Sequence, residues 1–146
     1  MKLTIELVPS TSHYKNLRKM MKRSRWDKLR KEVYAEFGHK CGICGSYGRL
    51  NCHEIWEYDD QQHIQKLSGL IALCPMCHHI KHLGLAAILI QKGHLDGDAL
   101  NNHFLKVNEC GLDDYVEHTA NAALQHRERS QYEWTIDLGD YEKLLE

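Results

Sequence analysis

The sequence predicts an α+β protein, mainly helical, and three observations carry that expectation. Apolar residues recur at three- and four-residue steps over several long stretches, as they do on the buried face of a helix. Short segments near both ends and in the middle alternate apolar with polar, as strands do. Four of the six cysteines fall into two tight pairs, Cys41/Cys44 and Cys74/Cys77. A chain of 146 residues fits one domain. Within it we distinguish an N-terminal strand and basic helical arm (1–25), a cysteine-bearing core (26–93) and a helical C-terminal extension ending in a strand (94–146).

The elements follow in chain order. Leu3–Val8 alternates and stops at Pro9-Ser10, as a short strand would. From Ser12 to Phe37 the pattern is helical and basic. Trp26, Leu29, Val33, Tyr34 and Phe37 form one apolar stripe, Gly38 is placed as a C-cap, and a break near Ser24 would divide the helix in two. Residues 47–56 read as a hairpin with Gly48 in its turn, 58–65 as a polar loop and 68–73 as a short apolar segment. A helix then runs from Cys77 to Gln91 and stops at Gly93. Asp98 caps a helix through Val107, and Asp113 or Asp114 caps another through Arg127. Residues 132–138 alternate as a strand, expected to pair with the first, and 140–145 make a last helical turn.

Composition narrows the class. With 42% hydrophobic and 27% charged residues the chain is neither disordered nor membrane-embedded in type, and no apolar run approaches the length of a span. The acidic Glu6 interrupts the N-terminal apolar run, which makes a poor signal peptide, so the expected compartment is the cytoplasm. The net charge of −1 conceals an asymmetry: basic residues dominate 1–50 and acidic ones dominate the remainder. A basic arm on an acidic body fits a nucleic-acid contact, with Arg18, Lys19, Lys22, Arg23 and Arg25 as its candidates. It equally fits two halves that neutralise each other across the fold.

In a reducing compartment, paired cysteines read as metal ligands rather than disulfides. Cys41, Cys44, Cys74 and Cys77 supply four soft thiolates, the donor set of a structural tetrahedral Zn2+ site. Such a site contributes on the order of 10 kcal/mol of apparent binding free energy to folding, enough to order a loop-rich segment.

A second constellation adjoins the first. In Cys77-His78-His79-Ile80-Lys81-His82, His78 and His82 lie four apart on one helical face, a spacing at which two imidazoles share a cation. A knot joining this helix to the segment Cys52-His53-Glu54-Ile55-Trp56 would bring His53 toward them. Together with Cys41-Gly42-Ile43-Cys44-Gly45 and Leu70-Ile71-Ala72-Leu73-Cys74-Pro75-Met76-Cys77-His78, this stretch resembles the HNH endonuclease family, in its members with a four-cysteine zinc knot around the ββα-metal core. The resemblance spans residues 26–83.

The resemblance implies a metal-dependent hydrolysis of phosphodiester bonds in DNA, or alternatively in RNA, leaving a 5′-phosphate and a 3′-hydroxyl. It implies His53 as the general base and His78 as a catalytic metal ligand, with His82 beside it. It also implies that hairpin and helix sit against the minor groove. Two positions depart from the pattern. Cys52 stands where the family has an acid or histidine; it either joins the metal, favouring a transition ion, or faces the core. Gly69 stands where the family has the asparagine that braces the loop carrying the base. The second metal is accordingly left open among Mg2+, Mn2+, Ni2+ and Zn2+. The competing expectation is a zinc-stabilised module that binds nucleic acid or protein and has lost its chemistry. As partners, a homodimer or a larger defence or mobile-element assembly is expected beside the nucleic acid, and no membrane.

Overall fold

A computed structural model describes residues 1–145. Its elements are α1 (Leu17–Met20), α2 (Arg23–Glu36), β1 (Asn51–Asp59), β2 (Ile64–Leu73), α3 (Pro75–Lys81), α4 (Leu83–Gln91), α5 (Gly97–Asn108), α6 (Leu112–Arg129), β3 (Thr135–Asp137) and a 3₁₀ helix (Gly139–Leu145). The α+β class is the one the sequence predicts. Among the described residues no helix is long and apolar enough to cross a membrane.

The centre is a mixed sheet in the order β1-β2-β3, with β1 at a free edge. The β1–β2 hairpin is antiparallel and pairs His53 with Ile71. It is longer and further along the chain than the alternation suggests. Its turn is not at Gly48 but at 60–63, where the Asp59 carboxylate accepts the N–H groups of Gln61 and Gln62, both at 3.0 Å, and His63 takes a left-handed φ of 56°. The stretch expected as a polar loop thus supplies the turn and both strand ends.

The terminal strands do not pair. Residues 3–8 form no strand and join no sheet, because side chains of the distant helices take their backbone groups. Leu3 N–H donates to Asn108 Oδ1 and Asn108 Nδ2 donates back to Leu3 carbonyl, both at 2.8 Å; Ile5 N–H donates to His118 Nε2, also at 2.8 Å. Strand β3 instead pairs in parallel with the start of β2. The basic helix breaks at Met21–Lys22, where both residues are extended, rather than at Ser24. Gly38, with φ 66°, follows its end as expected. Asp96, not Asp98, caps α5, and Asp114 accepts the N–H of Gly111 ahead of α6. The helix after Cys77 is two helices, divided at His82 (φ −108°, ψ 53°).

Two apolar clusters cover the sheet. One joins Leu3, Ile5, Leu73, Ile80, Leu100 and Phe104 to the cysteines. The other gathers Leu17, Trp26, Val33, Leu67, Leu70 and Leu138 beneath α2. A strand presents successive side chains to opposite faces. Along β1, His53 therefore turns away from its neighbours Cys52 and Glu54, which face the side of α1 and α2.

Candidate metal centre

The first cysteine pair sits in a tight turn closed by two backbone bonds, Cys41 N–H to Ser46 carbonyl (2.9 Å) and Gly45 N–H to Cys41 carbonyl (3.0 Å). The Gly42 N–H donates to Ala72 carbonyl at 2.7 Å, which ties this turn to the end of β2. The second pair opens α3. Cys74 is its N-cap, accepting from Cys77 N–H at 3.4 Å, and Pro75 occupies the first turn, where no donor is missed. The four sulfurs converge within 4.8 Å of one another, and Cys44 Sγ lies 3.6 Å from Cys74 Sγ.

Tetrahedral zinc with Zn–S bonds near 2.3 Å requires sulfurs about 3.8 Å apart, so the cluster is consistent with a zinc site. Its electrostatics agree. Hydrogen bonding from Cys74 and Cys77 holds the Cys41 thiol far below the usual range, and hydrogen bonding to Cys41 raises Cys74 and Cys77. One thiolate thus opposes the next, a conflict that a central dication removes. His103, on α5, places Nε2 3.2 Å from Cys77 Sγ, in position to donate to a thiolate. Nothing in its spacing marks His103 in the sequence; only the packing of α5 on α3 reveals it.

The histidine cluster lies on the other side of Cys77. His53 from β1 meets His78 from α3 and His82 at its end, with ligand atoms within 4.8 Å of one another. Ring centroids are 5.6 Å apart for His53–His78, 4.9 Å for His53–His82 and 4.6 Å for His78–His82. The structure brings these three together as the sequence suggests. His53 is buried and the other two half-buried. Burial first, then the neighbouring imidazoles, lowers His53 to about 2 and His78 to about 4; His82 is lowered for similar reasons. All three rings are therefore neutral near pH 7, the form that binds a cation. The group could hold a second metal.

Cys52 is not part of it. It faces the α2 side among Leu70, Ala72 and Val33, and burial pushes its thiol up to about 12, which leaves it protonated near neutrality. Of the two readings of Cys52, the structure supports the core-facing one. Gly69 lies in β2 across from Ile55, where the hairpin register shifts, and Ser68 Oγ donates to Ile55 carbonyl at 3.1 Å. The residue His53 therefore sits in a continuous strand rather than a loop, and the missing asparagine has no loop to brace.

The five basic residues Arg18, Lys19, Lys22, Arg23 and Arg25 are all exposed on α1, α2 and the segment between. None lines the cleft that holds His53 and His82; Lys15 and Arg129 do. Neither a protein-family model, nor a curated protein, nor a solved structure matches this chain.

Proposed function

We propose that the chain is a metal-dependent endonuclease of the HNH type, hydrolysing phosphodiester bonds in DNA, with RNA as the second candidate. One observation carries the reading: three imidazoles from two elements converge beside a four-cysteine cluster. The four cysteines hold a structural zinc that fixes α3 against the end of β2, and so fixes His78 and His82 relative to His53. A divalent ion held by His78 and His82 would supply a Lewis acid that neutralises charge growing on the phosphate. The chain's own part is to orient and to move a proton. His53, on a rigid strand, takes the proton of the attacking water at a ring nitrogen. The exposed basic residues of α1 and α2 offer charge to phosphates further along the strand.

A second reading is favoured by the depressed basicity of His53. A base at about 2 accepts a proton poorly near neutral pH, and such a site suits a binding module that keeps the metals without the chemistry. Scission of plasmid and of single-stranded circular DNA across Mg2+, Mn2+, Ni2+ and Zn2+, with His53→Ala as control, separates the two. Scission by the wild type that the variant loses by about a hundredfold or more supports the enzyme. Identical behaviour of the two proteins in every metal rejects it.

A further inference from the structure

A nuclease that acts on continuous duplex must offer an open face to a groove. The face over His53 and His82 is walled on three sides. Glu6, Leu7 and Val8 form one wall. It is pinned by Lys81 Nζ, which donates to Thr4 Oγ1 at 2.9 Å and pairs with Glu6 at 3.1 Å. His13, Lys15 and Asn16 form a second wall. That turn is anchored by Ser12 Oγ donating to the buried Gln65 at 2.7 Å and by Leu17 N–H donating to Glu54 at 2.9 Å. The end of α6 supplies the third wall with Gln125 and Arg129. Both Asp60 carboxylate oxygens hold the Arg129 guanidinium, at 2.9 and 3.1 Å, and the Tyr58 ring lies 4.1 Å beneath it.

Between these walls and the free edge of β1 remains a cleft of about 330 Å³. That is the size of a small-molecule pocket. A duplex is far larger, and both of its strands would have to pass walls held by the contacts just described. One nucleotide is of the right order. The lining also suits one: Trp56 contributes an aromatic side chain and Lys15 a basic one, while the Tyr58 ring is already covered by Arg129. Of the two carboxylates in the lining, Glu6 is paired with Lys81, and Glu54 is held by the Leu17 amide, which orients it without neutralising it.

We infer that the cleft receives an unpaired nucleotide, from a single strand or extruded from a bulge or mismatch, and excludes continuous duplex. This rests on the nuclease reading for its chemistry, though not for its binding. The test uses the full zinc-loaded chain with Mn2+ or Ni2+ and three labelled oligonucleotides of one sequence: single-stranded, fully paired, and paired with one bulged nucleotide. Binding is read by anisotropy and scission on a denaturing gel. The single strand and the bulge should bind more tightly than the perfect duplex by about tenfold, the scale of one stacked base, and Lys15→Ala should weaken that binding severalfold. Scission should follow the same order. A perfect duplex bound as tightly as the single strand, or no binding of either, overturns the inference. Preferential binding of unpaired strand without scission in any metal supports the inference and rejects the nuclease.

Discussion

Gly42→Ala tests whether packing, and not the thiolates alone, seats the first cysteine pair. A Cβ at position 42 would lie 2.8 Å from Ile71 Cγ1, 2.8 Å from Phe37 Cε1 and 2.9 Å from Ile71 Cδ1. Carbon atoms are comfortable at about 3.5–4.0 Å, so the neighbours must withdraw by roughly 0.7 Å or more. The turn cannot retreat instead, because the Gly42 N–H is bonded to Ala72 carbonyl at 2.7 Å. The backbone at Gly42 is not left-handed, so the cost is one of packing. Overpacking of this kind destabilises by about 1–3 kcal/mol. For a chain of this size, about 2 kcal/mol lowers Tm by roughly 4–8 °C. Thermal unfolding of the zinc-loaded protein reads this directly, and zinc release to a chromophoric chelator should quicken alongside it. Ile71→Ala removes two of the three offending carbons, so the alanine at 42 should cost about 1 kcal/mol less in that background. An unchanged Tm for Gly42→Ala, or strict additivity in the double variant, refutes the reasoning.

Cys77→Ser removes a buried member of the four-cysteine cluster; on the zinc reading, binding worth on the order of 10 kcal/mol rivals the whole stability of a domain. The variant should lose its zinc by elemental analysis and its cooperative melt by circular dichroism, and a cooperative, zinc-loaded variant would contradict the assignment. Because burial lowers His53 and His78 below the ordinary 6.5, the unfolded chain binds protons that the folded site refuses. Stability is therefore full above about pH 6.5 and falls as pH drops from there toward 4, by up to about 1.4 kcal/mol per pH unit for each histidine. With the second metal absent, His53→Gln should reduce the slope of unfolding free energy against pH by about one proton; equal slopes would show that His53 is not shielded. Cys52, raised to about 12 by burial, should resist iodoacetamide at pH 8 in the folded protein and react once it is unfolded. Rapid alkylation of the native chain, located by mass spectrometry, would place that thiol at the surface.

The legible parts of this molecule are those written in fixed spacing. Two Cys-x2-Cys turns and a His-x3-His on the following helix carry their geometry with them, because three or four residues of helix or turn leave little freedom. His53 was legible only through the knot that ties its strand to α3. What the sequence hid depends on contacts between distant segments. Residues 3–8 alternate as a strand does, yet Asn108 and His118 satisfy their backbone groups, and no local pattern announces that choice. The polar composition of residues 58–65 hides the hairpin, since it looks like loop whereas Gln65 is buried against Ser12. Arg129 becomes a cleft residue only because the end of α6 meets the hairpin at Asp60, and Lys15 only because Leu17 is tied to Glu54. The basic run at 18–25 is dense in sequence, and density reports surface charge rather than position.

The two clusters are coupled by a single peptide bond, and that coupling bears on which role His53 can fill. Cys77 belongs to the sulfur cluster and His78 to the imidazole cluster, so the helix cannot turn without disturbing both. Cys74 caps the same helix, and Gly42 binds the first knuckle to the end of β2, whose partner strand carries His53. A rigid frame of this kind suits a ligand, since a neutral imidazole needs only correct placement. It suits a base less well while the ring stays as buried as it is, because taking a proton there means charging a group stripped of water. A substrate phosphate beside the ring changes that balance, since its negative charge favours the protonated imidazole and offsets the dication that His78 and His82 would hold. On the nuclease reading, His53 gains its basicity from the substrate in the cleft and remains an inert neutral ring without it.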